Sequence, residues 1–164
     1  MATLNATVNS ENWIETIKNS GFSLSEVEKF IDESYKSGYD AKDEEIRSRM
    51  MNIFTTNIIL TNQITEDLLV YLEELNIHPL SAYLKIDSIV SFHIIFTVKL
   101  NDYISEELLK AYDWISDTEK KVRNTNYNID LSFMHEDENL NMESLNPDGF
   151  RFKHKRLLKV KTDE

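Results

Sequence analysis

Cysteine is absent from the chain, and its 164 residues include only 3 glycines and 2 prolines. Without cysteine there is no disulfide, thiolate nucleophile or cysteine-ligated metal, which is typical of a reducing compartment. So little glycine disfavours a glycine-rich loop that cradles phosphate. No apolar run approaches the roughly 18 residues of a membrane-spanning helix, and MATLNATVNSENW lacks the basic and apolar regions of a signal peptide. We therefore expect a soluble, cytoplasmic protein with no membrane partner.

The sequence also lacks the short motifs by which many enzyme classes are recognised. It contains no HExxH, G-x-S-x-G or P-loop, and the glycine-led acidic pair of a nucleotidyltransferase is missing. We therefore predict a protein without catalysis and without a cofactor. A weak candidate for a metal site is the cluster His135, Glu136 and Asp137, since imidazole and carboxylate groups bind transition metals. Adjacent residues of an extended chain point in opposite directions, so a solvated acidic loop is the preferred interpretation.

Negative charge dominates, with 29 acidic and 18 basic residues and a net charge of −11. Residues 151–161 hold six of the basic residues and no acid, and residues 162–164 hold two acids, so residues 1–150, with 12 basic and 27 acidic residues, carry −15. An acidic body attracts basic partners and repels nucleic acid, whereas a basic segment does the reverse. The basic segment contains Arg151, Lys153, Lys155, Arg156, Lys159 and Lys161. It is either an arm for nucleic acid or an acidic protein, or a segment that neutralises the body of its own chain.

Residues 90–100, VSFHIIFTVKL, are the clearest structural signal in the chain. Apolar residues occupy every second position from Val90 to Leu100, which is the pattern of a strand with one buried face. The predicted strands are residues 52–60, 82–87, 90–100 and 128–134. Phe150 and Phe152 also alternate with two basic residues, which is compatible with a short edge strand.

Helical spacing of apolar residues predicts helices over residues 11–19, 26–37, 40–51, 65–75 and 105–123. Thr65 and Ser105 are the predicted N-caps of the last two. The buried stripe of the last helix is predicted to include Leu108, Leu109 and Tyr112. The segment LTNQITEDLL at 60–69 is similar to LNDYISEELL at 100–109. Either an internal duplication or the shared capping chemistry of two strand-to-helix corners explains this similarity.

From residue 52 the predicted order is strand, helix, strand, strand, helix, strand, which is the split βαβ order of ferredoxin-like folds. We therefore predict an α+β protein whose four-stranded antiparallel sheet carries two helices on one face, preceded by two to three N-terminal helices. The predicted segments are a helical segment at 1–51, the α+β core at 52–135, and an acidic loop with a basic tail at 136–164. Such a fold does not by itself specify a function.

Charge and the missing motifs lead to three functional hypotheses. The first is a non-catalytic regulatory protein that binds a protein partner, as an immunity protein, an antitoxin or an inhibitor does. The second is nucleic-acid binding through the basic tail, and the third is a metal-dependent enzyme at His135. The tentative partner-binding residues are His93, Lys99, Asp130, Arg151, Lys153, Lys155 and Arg156. An exposed sheet face or edge is also compatible with a homodimer.

Overall fold

The computed structural model describes residues 13, 16–17, 26, 29, 44–138, 140 and 142–154. Its elements are α1 (Glu44–Glu74), β1 (Ser81–Ser88), β2 (Ser91–Val98), α2 (Leu100–Tyr103), α3 (Glu106–Val122), β3 (Asn128–His135), α4 (Met142–Leu145), a 3₁₀ turn (Asn146–Asp148) and β4 (Phe150–Lys153). The described positions before Glu44 are helical, and the rest of the two helices predicted over 11–19 and 26–37 lies outside the described residues. These elements confirm an α+β protein.

The helix α1 is continuous over 31 residues, so the strand predicted over 52–60 is wrong. Its core face includes polar side chains as well as apolar ones, because Asn57, Thr61 and Thr65 are buried at a spacing of four residues. A count of apolar residues alone therefore misses the helical period there. No glycine or proline occurs between residues 44 and 74 to interrupt the helix. The predicted cap Thr65 is also wrong, because its hydroxyl lies inside α1 and donates to the Thr61 carbonyl at 2.8 Å.

The C-terminal end of α1 is closed by local backbone geometry. Asn76 has a positive φ of 57°, and its amide donates to the Glu73 carbonyl at 3.0 Å. The amide of Ile77 donates to the Leu72 carbonyl at 2.8 Å. This pair of bonds is the Schellman motif, which satisfies carbonyls at a helix end. Leu72 and Ile77 are both buried, so the apolar contact that commonly accompanies the motif is available too.

The four strands form one sheet in the order β3-β2-β1-β4. The pairs β1–β2 and β1–β4 are antiparallel, whereas β2 and β3 are parallel. The sheet is therefore mixed, and the predicted all-antiparallel, ferredoxin-like sheet is wrong in the β2–β3 pair. The reason is that residues 52–60 belong to α1, which leaves β3 beside β2, and α2 and α3 connect these two strands as a crossover. The edge strand predicted at Phe150 is confirmed as β4.

One face of the sheet forms the main core with α1 and α3, as predicted for the apolar strand faces. The strands contribute Leu84, Phe92, Ile94, Phe96, Ile129 and Phe133, and the helices contribute Phe54, Ile58, Leu68, Leu72, Leu108 and Ile115. The opposite face is partly covered by the segment that precedes β4. There Leu145 packs with Tyr83, Ile95 and Phe150 in a smaller cluster. Gly149, with a φ of 93°, makes the turn into β4, which confirms the turn predicted from Asn-Pro-Asp-Gly.

The start of α3 is as predicted, but the repeat around it is not. The Ser105 hydroxyl accepts a hydrogen bond from the Leu108 amide at 3.3 Å, so Ser105 is the N-cap. The similar segment at 60–69 lies in the interior of α1. The idea that the same strand-to-helix corner occurs twice is therefore wrong. The helix α1 also crosses the predicted boundary between residues 51 and 52, and the division into segments remains a prediction.

Residues near the two ends of the chain meet against α1. Trp13 is fully buried, its indole N–H donates to the Thr65 hydroxyl at 3.0 Å, and its amide donates to Asn62 Oδ1 at 3.1 Å. His154, also fully buried, lies edge-on to the Trp13 ring at 4.8 Å. Its Nε2 is 3.5 Å from Glu66 Oε1. Position 13 and the end of β4 are therefore fixed to the same part of the core.

Candidate protein-interaction surface

Five large apolar side chains are exposed where β2 leads into α3. We name this surface, which consists of Leu100, Tyr103, Ile104, Leu109 and Tyr112, the corner patch. Ile104 is 72% exposed and Leu109 64% exposed, and exposed apolar side chains are informative when several occur together. The sequence predicted Leu109 and Tyr112 to be part of the buried stripe of α3. This is wrong for both residues, because Leu109 and Tyr112 are exposed and the buried positions of α3 are Leu108, Ala111 and Ile115.

Aromatic contacts join the two tyrosines of the corner patch to β3. The Tyr112 ring lies edge-on to Phe133 of β3 at 5.3 Å, and Tyr103 lies 6.2 Å from the ring of His135. Burial raises the pKa of the Tyr112 phenol, and the adjacent Tyr103 raises that pKa further. This electrostatic effect indicates that the two tyrosines are neighbours. The two tyrosines of the corner patch therefore lie side by side against β3.

Acidic side chains border the corner patch. We name Asp102, Glu106 and Asp113 the acidic rim. Glu106 precedes Leu109 by three residues and Asp113 follows it by four, so both flank it on the surface of α3. Neither Glu106 nor Asp113 forms an ion pair with any residue that the structure describes. From Leu100 to Asp117 the chain has five acidic residues and one lysine, a net charge of −4.

The strand β3 is an edge of the sheet, beside the corner patch. At its two ends, even-numbered amides bond to the chain of β2: Asn128 N–H donates to the Val90 carbonyl at 2.7 Å, and Glu136 N–H to the Val98 carbonyl at 2.9 Å. Successive amides of a strand point in opposite directions. The odd-numbered amides of β3 therefore point away from β2, towards the outer edge of the sheet.

Side chains of α3 cover two residues of this outer edge. The Leu131 amide donates to Glu119 Oε1 at 2.7 Å. The Tyr112 ring lies edge-on to Phe133 at 5.3 Å, and the Phe133 backbone partly offsets the rise that burial causes in the pKa of the Tyr112 phenol. Tyr112 and Glu119 are seven residues apart, two turns of α3, and so lie on the same side of the helix. These two side chains close part of the β3 edge to an incoming strand.

Two of the predicted partner-binding residues, His93 and Asp130, are paired across β2 and β3 on the face opposite the main core. His93 Nε2 is 3.1 Å from Ser132 Oγ, and its ring lies edge-on to Phe150 at 5.1 Å. Asp130 is 3.9 Å from the guanidinium of Arg123. The structure thus brings His93 and Asp130 to one face, where both contact neighbours within the protein.

The remaining predicted partner-binding residues are spread over the molecule. Lys99 is exposed and precedes α2, next to the corner patch. Arg151 lies 3.6 Å from Glu26, and the Lys153 ammonium lies 5.6 Å from the centre of the Tyr83 ring. Lys155 and Arg156 lie outside the described residues. The described part of the basic segment therefore contacts groups of its own chain.

The side chains of the candidate metal ligands His135, Glu136 and Asp137 lie in different surroundings. His135 lies against Tyr103, whereas Glu136 Oε2 accepts from the Thr97 hydroxyl at 2.7 Å. Asp137 is exposed. Among the described residues, no group of three or more His, Cys, Asp or Glu side chains is arranged to hold a metal ion.

Comparisons with other proteins add no further constraint. No protein-family model, curated protein or solved structure matches the chain. None of the helices that the structure describes is long and apolar enough to cross a membrane. Sequence reasoning did not identify the corner patch, because helical spacing assigns Leu108 and Leu109 to the same buried stripe. A signal was available in the acids at positions 106 and 113, which indicate the solvent side of the helix around Leu109.

Proposed function

We propose that this protein is a non-catalytic, acidic binding protein, and that the corner patch with its acidic rim is the surface that contacts a protein partner. The observation that carries this proposal is the exposure of Ile104 and Leu109 beside Glu106 and Asp113. Exposed apolar side chains in one patch, surrounded by charged residues, are typical of protein-interaction sites. A partner that such a small acidic chain covers would be inhibited or neutralised, as in the antitoxin, immunity-protein or inhibitor class. A cytoplasmic location accords with the absence of cysteine.

The charge of the whole chain supports the same function. With a net charge of −11, the protein attracts basic surfaces and accelerates their encounter with it at low ionic strength. Nucleic-acid binding through residues 151–161 remains a prediction from the sequence. The contacts of Arg151 with Glu26 and of Lys153 with Tyr83 favour the alternative that this segment neutralises its own chain.

Affinity capture with matched surface variants tests the proposal. The test variant is Ile104→Ser with Leu109→Ser, and the control is Ile59→Ser with Val70→Ser, two apolar residues of α1 that are 45% and 48% exposed. Ile59 and Val70 are separated on α1 by Gln63 and Asp67, which hydrogen-bond to each other at 2.9 Å. We expect the unchanged protein and the control to retain the same stoichiometric partner and the test variant to lose it. Equal capture by all three proteins would contradict the proposal.

A further inference from the structure

We propose that the corner patch binds an amphipathic helix of the partner protein, with an apolar stripe flanked by lysine or arginine. This inference rests on the proposed function and specifies the partner segment that the same surface recognises. It depends on two independent observations, the closed β3 edge and the acidic rim.

The contacts of Leu131 and Phe133 with α3 disfavour the main alternative, in which a partner strand extends the sheet beside the corner patch. Strand addition needs free amides and carbonyls along an edge. The Leu131 amide is bonded to Glu119 at 2.7 Å, and the Tyr112 ring lies edge-on to Phe133 at 5.3 Å. A partner strand would have to displace both side chains before it could pair with these residues. Recognition at this corner therefore relies on side chains, which is how an amphipathic helix binds a groove.

The acidic rim determines the charge of the partner helix. Glu106 and Asp113 are exposed on either side of Leu109, and the residues from Leu100 to Asp117 carry a net charge of −4. A second copy of the chain would bring the same acids against each other. Nucleic acid and anionic lipid surfaces carry the same sign of charge and are repelled as well. A helix with lysine or arginine beside its apolar stripe is attracted to the rim and is also able to cover the patch.

The part of α3 that holds Glu106, Leu109 and Asp113 determines the length of the probe. From Ser105 to Asp117, a range that contains all three residues, α3 extends about 18 Å at about 1.5 Å per residue. A partner helix of about 12 to 15 residues, or three to four turns, covers this length. Such a helix presents three or four apolar side chains on one stripe.

Titration with three synthetic peptides of equal length tests this inference. The first carries leucines at helical spacing with lysines beside them, the second has the same composition in an order that scatters the leucines, and the third has glutamate in place of lysine. We expect the first peptide to bind the full chain at least about tenfold more tightly than the second. The third should bind more weakly still, because its charge is repelled by the rim.

Variants of the protein show whether the peptide occupies the corner patch. Ile104→Ser with Leu109→Ser should weaken the first peptide at least about tenfold, whereas Ile59→Ser with Val70→Ser should leave its affinity unchanged. Glu106→Gln with Asp113→Asn should reduce the dependence of its affinity on salt. Circular dichroism and thermal melts establish that each variant is folded. The inference is supported if Glu106→Gln with Asp113→Asn lowers the salt dependence of binding and if Ile104→Ser with Leu109→Ser weakens binding.

Three results would overturn the inference. They are equal binding of all three peptides, unchanged binding by the variant with serines at positions 104 and 109, and self-association of the chain through the patch in sedimentation experiments. If the peptides fail but the matched capture experiment still depends on Ile104 and Leu109, only the chemistry assigned to the partner is wrong. If that dependence is absent too, the proposed function is also wrong.

Discussion

The side chain of Asn57 connects α1 to two loops of the sheet. It is buried, and its Nδ2 donates to the carbonyls of Ile89 at 2.9 Å and Asn126 at 2.7 Å. One loop joins β1 to β2, and the other precedes β3. A buried carbonyl that loses its donor is costly, because it loses water on folding and gains nothing in return.

We therefore expect Asn57→Ala to lower the free energy of unfolding by about 1 to 3 kcal/mol, chiefly because the carbonyl of the buried Ile89 loses its donor. Urea denaturation measures this change. Asn52→Ala, at an exposed position of the same helix, serves as the control and should raise the free energy of unfolding by roughly half a kcal/mol, because alanine has the higher helix propensity. Equal effects of the two substitutions would contradict the burial of Asn57.

Tyr127 gives the protein a dependence of stability on alkaline pH. Burial raises the pKa of the Tyr127 phenol above its ordinary value, and the hydrogen bond with the Thr61 hydroxyl, at 2.9 Å, only partly offsets this. The unfolded chain releases this proton near pH 10, while the folded chain retains it. The folded state is therefore favoured in full below about pH 10, and its stability falls as the pH rises further.

The expected loss from Tyr127 is about 1 kcal/mol between about pH 8 and about pH 10.5. Tyr127→Phe removes this contribution, so its unfolding free energy should depend less steeply on pH over that interval. At neutral pH the variant should be less stable by about 1 kcal/mol, because the bond to Thr61 is lost. An identical alkaline slope in both proteins, measured by urea denaturation, would show that Tyr127 ionises as freely in the folded chain as in the unfolded one.

The burial of Asn57 and Thr61 was not predicted from the sequence. Asn57 and Thr61 are polar, so an apolar pattern assigns them to the surface. Their burial is favourable only because Ile89, Asn126 and Tyr127, distant in sequence, supply hydrogen-bond partners. Such partnerships depend on the tertiary arrangement and leave no trace in local spacing.

Among the secondary-structure elements, α1 is the one in which the sequence prediction was wrong. The alternation of β-branched residues over 52–60 favours a strand, yet the structure has a helix that begins at Glu44 and continues to Glu74. The absence of glycine and proline between these residues was the better signal. By contrast, β1, β2 and β3 were predicted well, because their alternation is sustained and their ends coincide with turn residues.

Alanine substitution in α1 distinguishes the helix from the strand. Thr55 and Thr56 are both exposed, and alanine has the higher helix propensity by roughly half a kcal/mol at each position. We expect Thr55→Ala with Thr56→Ala to raise the free energy of unfolding by up to about 1 kcal/mol. A strand would be destabilised by the same substitutions. A fall in the melting temperature would therefore contradict the helix.

Glu119 links α3 to the outer edge of β3, and its removal tests that contact. Glu119→Ala should lower the free energy of unfolding by about 1 to 3 kcal/mol, because the amide of the buried Leu131 loses its acceptor. Glu119→Gln retains an oxygen that accepts this bond and should be less disruptive. Glu107→Ala, an exposed residue of α3, is the matched control. Hydrogen exchange of the Leu131 amide should accelerate only in Glu119→Ala, and unchanged exchange there would show that the edge is not held by Glu119.

For the whole molecule, charge and exposed apolar surface define one candidate function. The net charge follows from composition alone, and composition alone is enough to suggest an acidic binding protein. The position of the binding surface does not follow from composition. Leu108 and Leu109 are adjacent leucines of α3, and only their directions around the helix axis make the first buried and the second exposed. The structure adds that the corner patch and the closed β3 edge are neighbours, which restricts the way in which a partner binds.

Site-specific photo-crosslinking in cells of the native host tests the central claim most directly. A photoreactive phenylalanine derivative is placed at position 109 in the corner patch or, as a control, at position 70 on α1, where exposure is comparable. We predict one protein crosslinked through position 109 and none through position 70. The crosslinked peptide of that protein should contain an amphipathic helix rich in lysine or arginine. Equal crosslinking at the two positions, or none at position 109, would contradict the assignment of the corner patch as the partner-binding surface.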